Sequence, residues 1–152
     1  MSSPEFPSKQ EAEPGPGYWV DERKAETLEE LADIQQERIA NRDNAMSARQ
    51  RAAHRLSERT AQGRLKSLGE LEQVVGGRQF GMELLQDLSS HADSLTAKLR
   101  ASAAATDTLM LDQTPVEQIV TATPHRLTSR ALDDTMGLYY RCAEELGIEI
   151  PT

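Results

Sequence analysis

Three histidines, one cysteine and a pair of adjacent aspartates are the residues of this chain best suited to chemistry, and their spacing supports none. His54, His91 and His125 lie far from one another and from Cys142, outside the short intervals of a metal-ligating pair. Gly76-Gly77-Arg78 lacks the Gly-Lys-Ser/Thr continuation of a phosphate loop. No serine or cysteine sits in a nucleophile motif. Asp133-Asp134 is expected at a helix start, where carboxylates favour the helix dipole without any catalytic role. The expectation is a chain that is not an enzyme and that uses no cofactor and no metal. A single cysteine permits no intrachain disulfide, which fits a reducing compartment.

Charge and composition shape the rest. The 152 residues carry a net charge of −8, unevenly spread. Residues 1–40 hold ten acids and four bases. Between 41 and 66 the balance reverses, with Arg42, Arg49, Arg51, Arg55, Arg59, Arg64 and Lys66 against Asp43 and Glu58. The simplest account is a solvated helix face. The functional account is contact between Arg42–Lys66 and an acidic surface, whether lipid, nucleic acid or protein. No aromatics interleave the arginines, which argues against base stacking. Aromatics make up only 4% of the chain, too few for the core of a typical globular enzyme. The first residues lack a basic and an apolar signal region, and no run approaches a membrane span. A soluble, cytoplasmic protein is expected, with peripheral membrane association as the alternative.

The elements that would carry these residues are helical. The fold class expected is all-α: elongated coiled-coil helices, as a hairpin or kinked rod, with a small C-terminal helical module. Residues 1–17, rich in proline and glycine, read as a disordered tail. Tyr18-Trp19-Val20 follows, either as a hydrophobic staple or as a short docking motif. A first helix is expected from Asp21, or from a capping box at Thr27-Leu28-Glu29-Glu30, and could run to Val75. Gly76-Gly77 is the strongest break in the 18–105 region, as turn or kink. A second long helix is expected over Phe80–Ala105. Residues 106–152 form the module. Thr114-Pro115-Val116-Glu117 starts a short helix that Pro124 ends, and a last helix from Ser129 stops at Gly147.

Apolar residues recur on one seam of these helices. Leu68, Leu71, Val75, Met82, Leu85, Ala92 and Leu99 keep a heptad register, widened by Val74, Leu88 and Leu95. Leu28, Leu31, Ile34 and Ile39 give the first helix an apolar face, and Leu132, Met136 and Tyr139 give one to the last. With few helices in the chain to cover it, the seam is expected to bind other helical subunits in a heteromeric coiled coil. The expected partner-binding residues are Leu28, Leu31, Ile39, Leu68, Leu71, Val75, Met82, Leu85, Leu88, Leu95, Leu99, Leu132, Met136 and Tyr139. No small-molecule substrate is expected.

The C-terminal stretch has its own pattern. Val116-Glu117-Gln118-Ile119-Val120 leads to Thr123-Pro124, then to a helix opening Ala131-Leu132-Asp133-Asp134-Thr135-Met136, then to Gly147-Ile148. Residues 116–148 thus resemble the steadiness box of the ESCRT-I subunit that carries a ubiquitin-conjugating-enzyme-variant domain. The segment between Pro124 and Ala131 is shorter than in that family. The resemblance implies a non-catalytic scaffold subunit in membrane cargo sorting. Two other readings stand beside it. Tyr140 and Glu144 match the Tyr-x-x-x-Glu export signal of secreted bacterial helical hairpins, although Gly76-Gly77 has no Trp beside it. The basic stretch alone would suit a nucleic-acid or membrane-surface binder.

Overall fold

In the computed structural model, residues 15–41, 47–109 and 115–149 are described, and all of their regular structure is helical. Four helices follow one another: α1 (Pro16–Ala40), α2 (Ala48–Val75), α3 (Met82–Leu109) and α4 (Pro115–Glu145). The all-α expectation holds. No helix among the described residues is long and apolar enough to cross a membrane.

Local chemistry explains most of the ends. α1 starts earlier than expected, with Gly15 as its N-cap and Pro16 in the first turn, where a missing amide costs nothing. Pro16 and Gly17 therefore belong to α1, while residues 1–14 of the expected tail lie outside the described residues. Thr27 is not a cap. It is buried in mid-helix, and its hydroxyl donates to the Arg23 carbonyl at 2.7 Å.

The stretch from Asp21 to Val75, which could have been one helix, is two. α1 ends at Asn41, and α2 begins with a capping box in which Ser47 and Gln50 satisfy each other's backbone amides. α2 closes on Gly76 in the left-handed region at φ 58°, and Gly77 follows at φ 72°. Arg78 pins this turn. Its guanidinium donates to the Val74 and Val75 carbonyls and pairs with Asp87 of α3 at 2.9 Å.

The C-terminal module is also rearranged. One helix spans it, with Pro124 inside. Pro124 is exposed, so the carbonyl that loses its amide partner lies on a solvent-facing side. α4 ends where Gly147 was expected to stop it, at φ 71°. The Gly147 amide donates to Glu144 and the Ile148 amide to Ala143, the paired bonds of a Schellman motif. Asp133 and Asp134 consequently sit deep in α4 and not at a helix start. Met110, Leu111 and Thr114, expected to form a knot and a cap, lie outside the described residues.

Contacts between helices fix the topology. Lys24 meets Glu72 and Arg38 meets Glu58, so α1 and α2 are antiparallel. Cys142 approaches Gly81 at one end and His125 approaches Ser102 at the other, so α3 and α4 are antiparallel too. These two pairs are the most extensively packed. They join along α2 and α4, which run parallel. At Gly63 an added Cβ would collide with the Leu127 side chain, so glycine lets the two axes approach closely. α1 and α3 occupy opposite flanks. The C-terminal helix is thus part of the same packed unit as α2 and α3, not a module set apart from a rod.

The core sits toward the Gly76–Gly81 end. It consists of Val20 from α1, Leu68, Leu71 and Val75 from α2, Leu84, Leu85 and Leu88 from α3, and Leu138, Cys142 and Ala143 from α4. Trp19, Val74, Phe80, Tyr139 and Leu146 pack around it. Each fully buried leucine contributes about 1.5–3 kcal/mol. The expectation that the seam awaits other chains is therefore corrected for its central residues, because four stripes of the same chain already cover them.

Candidate partner-binding surface

The fourteen residues expected to bind partners divide by burial. Leu68, Leu71, Val75, Leu85, Leu88 and Leu95 are 7% exposed or less and lie inside the chain's own packing. Leu31, Leu99, Leu132, Met136 and Tyr139 are half-buried. Leu28, Ile39 and Met82 are exposed, at 54%, 62% and 54%. The heptad register found the apolar stripe correctly, but most of that stripe turns inward.

Leu28 and Ile39 belong to the distal half of α1. Val20, Lys24, Thr27, Leu31, Ile34 and Arg38 follow helical spacing along the side that faces α2. Leu28, Ala32, Gln35 and Ile39 form the adjacent stripe. On α2, the residues opposite are small or polar. Ala53 and Ser57 line a cavity of about 160 Å³ with Ile34, Glu37 and His54. The buried His54 Nδ1 has no hydrogen-bond partner among the described residues. Beyond Thr27, then, α1 and α2 form a thinly packed pair held by polar contacts, of which Arg38–Glu58 at 2.9 Å is the closest. Apolar side chains stand exposed along its edge. Met46, on the same sequence stretch, lies outside the described residues.

Nearer the core, α1 is locked down. Trp19 stacks under the Arg23 guanidinium, 3.9 Å from the ring centroid, and its ring packs on Gly137 of α4. Val20 is fully buried. Tyr18-Trp19-Val20 thus anchors α1 to the rest of the protein. Tyr18, Trp19 and Phe80, with Arg23 and Arg141, leave a cleft of about 280 Å³ beside that anchor.

The electrostatics are structural in character. Arg64, expected on a solvated face, grips Asp134 with two hydrogen bonds, Nε to Oδ2 at 3.0 Å and Nη2 to Oδ1 at 2.7 Å. The two side chains are only 12% and 9% exposed. The bond to Asp134 raises the Arg64 pKa above its ordinary value against the opposing effect of burial, with smaller help from Glu26 and Glu30 of α1. The burial of Asp134, though not its partner, follows from its falling on the same side of α4 as Ala131 and Leu138. Burial lowers the His91 pKa, partly countered by Glu70 and reinforced by Lys98. Burial also raises the Cys142 thiol pKa, against a weaker opposing effect of its hydrogen bond to Gly81. Among the described residues no group of His, Cys, Asp or Glu is placed to hold a metal ion.

Comparison with protein-family models, with curated proteins and with solved structures finds no match to this chain.

Proposed function

We propose that this protein is a non-catalytic helical scaffold subunit that joins a heteromeric cytoplasmic complex through the distal half of its α1–α2 pair. One observation carries the reading. Leu28 and Ile39 stand more than half exposed on a stripe beside a seam that two helices alone fill poorly. An amphipathic helix from another subunit would cover that stripe and complete a local three-helix layer, by the helix-in-groove mode. The resemblance of residues 116–148 to a steadiness box supports a narrower version, in which the complex is ESCRT-I-like and sorts membrane cargo.

Affinity capture from the native source, with the wild type and a Leu28→Glu/Ile39→Glu variant in parallel, tests the reading. The variant should lose its helical partner while keeping its helicity and melting temperature, because both side chains face outward. Retention of every partner by the variant would rule out this face. If the partners that the wild type captures are ESCRT-I subunits, the narrower version stands, and a different complex removes it. Truncation before residue 114 cannot serve here, since it would delete Leu138, Cys142 and Ala143 from the core.

A further inference from the structure

On the outer side of the α2–α4 seam, one turn from Arg64, lies a cavity of about 340 Å³ that neither the core nor the α1 stripe uses. Thr60 of α2 lines it, with His125, Arg126, Ser129, Arg130 and Asp133 of α4. It is a shallow depression open to solvent.

The cations in it are among those without an ion pair in the described residues, as are Arg49, Arg55, Arg59 and Arg100. Arg23, Arg38, Arg64, Arg78 and Arg141 each hold a carboxylate. Arg126 and Arg130 make no ion pair with any described residue, although the chain has 25 acids for 17 lysines and arginines. They stand one turn apart on the same side of α4, and only Asp133 among the lining residues opposes them. The remaining groups are polar. The Ser102 hydroxyl donates to the Leu99 carbonyl at 3.0 Å, so its oxygen accepts from His125 Nδ1 at 3.1 Å, which fixes the imidazole orientation. Thr60 already donates to the Leu56 carbonyl. Ser129 has no hydrogen-bond partner among the described residues and can donate. Arg55 and Arg59, from the basic stretch of α2, are exposed one turn before and immediately beside Thr60.

We infer that this cavity is an anion site for a compact ligand bearing several phosphates, of the inositol-phosphate class, gripped by Arg126 and Arg130. Guanidinium groups one turn apart have Cβ atoms about 5–6 Å from each other, so each can take a separate phosphate through paired N–H donors. A nucleic acid fits less well, because no Phe, Tyr or Trp lines the cavity for a base to stack on. The inference is independent of the scaffold reading and survives its failure.

The full chain is titrated with inositol hexakisphosphate by calorimetry. In parallel it is sedimented with phosphatidylcholine vesicles, with and without phosphatidylinositol bisphosphate. Arg126→Gln/Arg130→Gln is compared with Arg49→Gln/Arg100→Gln, which removes the same charge elsewhere. The site variant should weaken binding by about tenfold or more, and the control by about twofold or less. Binding of the soluble probe alone identifies a free polyphosphate as the ligand. Vesicle binding that depends on the bisphosphate identifies a lipid headgroup. Both outcomes support the site. Absence of saturable binding to either probe overturns the inference, as do equal losses in the two variants or binding confined to duplex DNA. Circular dichroism checks folding. Should the glutamine variant unfold, Arg126→Lys/Arg130→Lys keeps the charge and removes the paired donors, and it must still lose affinity.

Discussion

Asp134→Asn should destabilise this protein more than any surface substitution, although it changes a single atom. Asp134 is 9% exposed, and its two oxygens accept from Nε and Nη2 of Arg64 at 3.0 and 2.7 Å. Asparagine keeps one acceptor and turns an NH₂ group toward the other donor. The Arg64 charge then stays behind, 12% exposed, with only the more distant Glu26 and Glu30 to offset it. Breaking a buried pair from one side costs about 3–5 kcal/mol, and the retained acceptor places this change near the lower end. For a chain of this length that is a fall in melting temperature of about 6–12 °C. Replacing both partners, as Arg64→Leu/Asp134→Leu, removes the unpaired charge and should return stability to within about 1 kcal/mol of wild type. Urea unfolding followed by circular dichroism measures these proteins together with the singles Arg64→Leu and Asp134→Leu, and the cycle from wild type through the two leucine singles to the double isolates the coupling between residues 70 positions apart in sequence. A loss below about 1 kcal/mol in Asp134→Asn, or a double variant no better than the single one, would refute the pairing of α2 with α4.

Gly137→Ala places a Cβ about 3.0 Å from Trp19 Cζ2, so the indole must shift. Alanine ordinarily gains about 1 kcal/mol over glycine in a helix interior, and we expect the contact to cancel that gain and to change the emission spectrum of the only tryptophan. Leu88→Ala should cost about 2–5 kcal/mol, while Met82→Ala on the same expected seam should stay within about 0.5 kcal/mol, both read from urea midpoints. His91 has a pKa held below its ordinary 6.5 chiefly by burial. The unfolded chain therefore binds its proton first, and stability from this group is full above about pH 6.5 and declines as pH falls through that value toward the folded pKa. His91→Gln should flatten the stability profile between about pH 7 and 5, and an unchanged slope would show that other groups set it.

Periodicity revealed what would be buried but not by what. Leu68, Leu71, Val75, Leu85, Leu88, Ala92 and Leu95 were legible because a helix repeats its buried face every three or four residues. Leu84 was missed because it neighbours Leu85, and two adjacent leucines can both be buried only when helices cover two sides. Leu138 and Cys142 were missed because the register of the last helix was set from Leu132, Met136 and Tyr139, a stripe that lies to one side of the true core. The capping box at Ser47–Gln50 was present in the sequence, and it would have split the long first helix and supplied the missing covering element. Pro124 misled for a physical reason: its cost is small where water reaches the carbonyl that it strands. Arg64 and Asp134 could not be paired from sequence, since each looks like one more surface charge until the two helices meet.

The distribution of burial bears on how such a protein could bind. Nearly all fully buried large side chains, and five of the chain's aromatics (Tyr18, Trp19, Phe80, Tyr139 and Tyr140), gather toward the Gly76–Gly81 end. Away from that end, the α1–α2 pair relies on Arg38–Glu58 and on half-buried Leu31 and Ile34, beside a cavity where His54 Nδ1 has no partner among the described residues. The packed core and the exposed Leu28–Ile39 stripe therefore sit at opposite ends of α1. A partner that covered Leu28 and Ile39 would add apolar burial where the chain has least of it, without disturbing the packed end. It would also order a segment whose own contacts hold it weakly, so part of the binding energy would be consumed in ordering it. That division accounts for a composition poor in aromatics. One end needs enough of them to fix four helices, and the other needs a stripe that two helices leave unfinished.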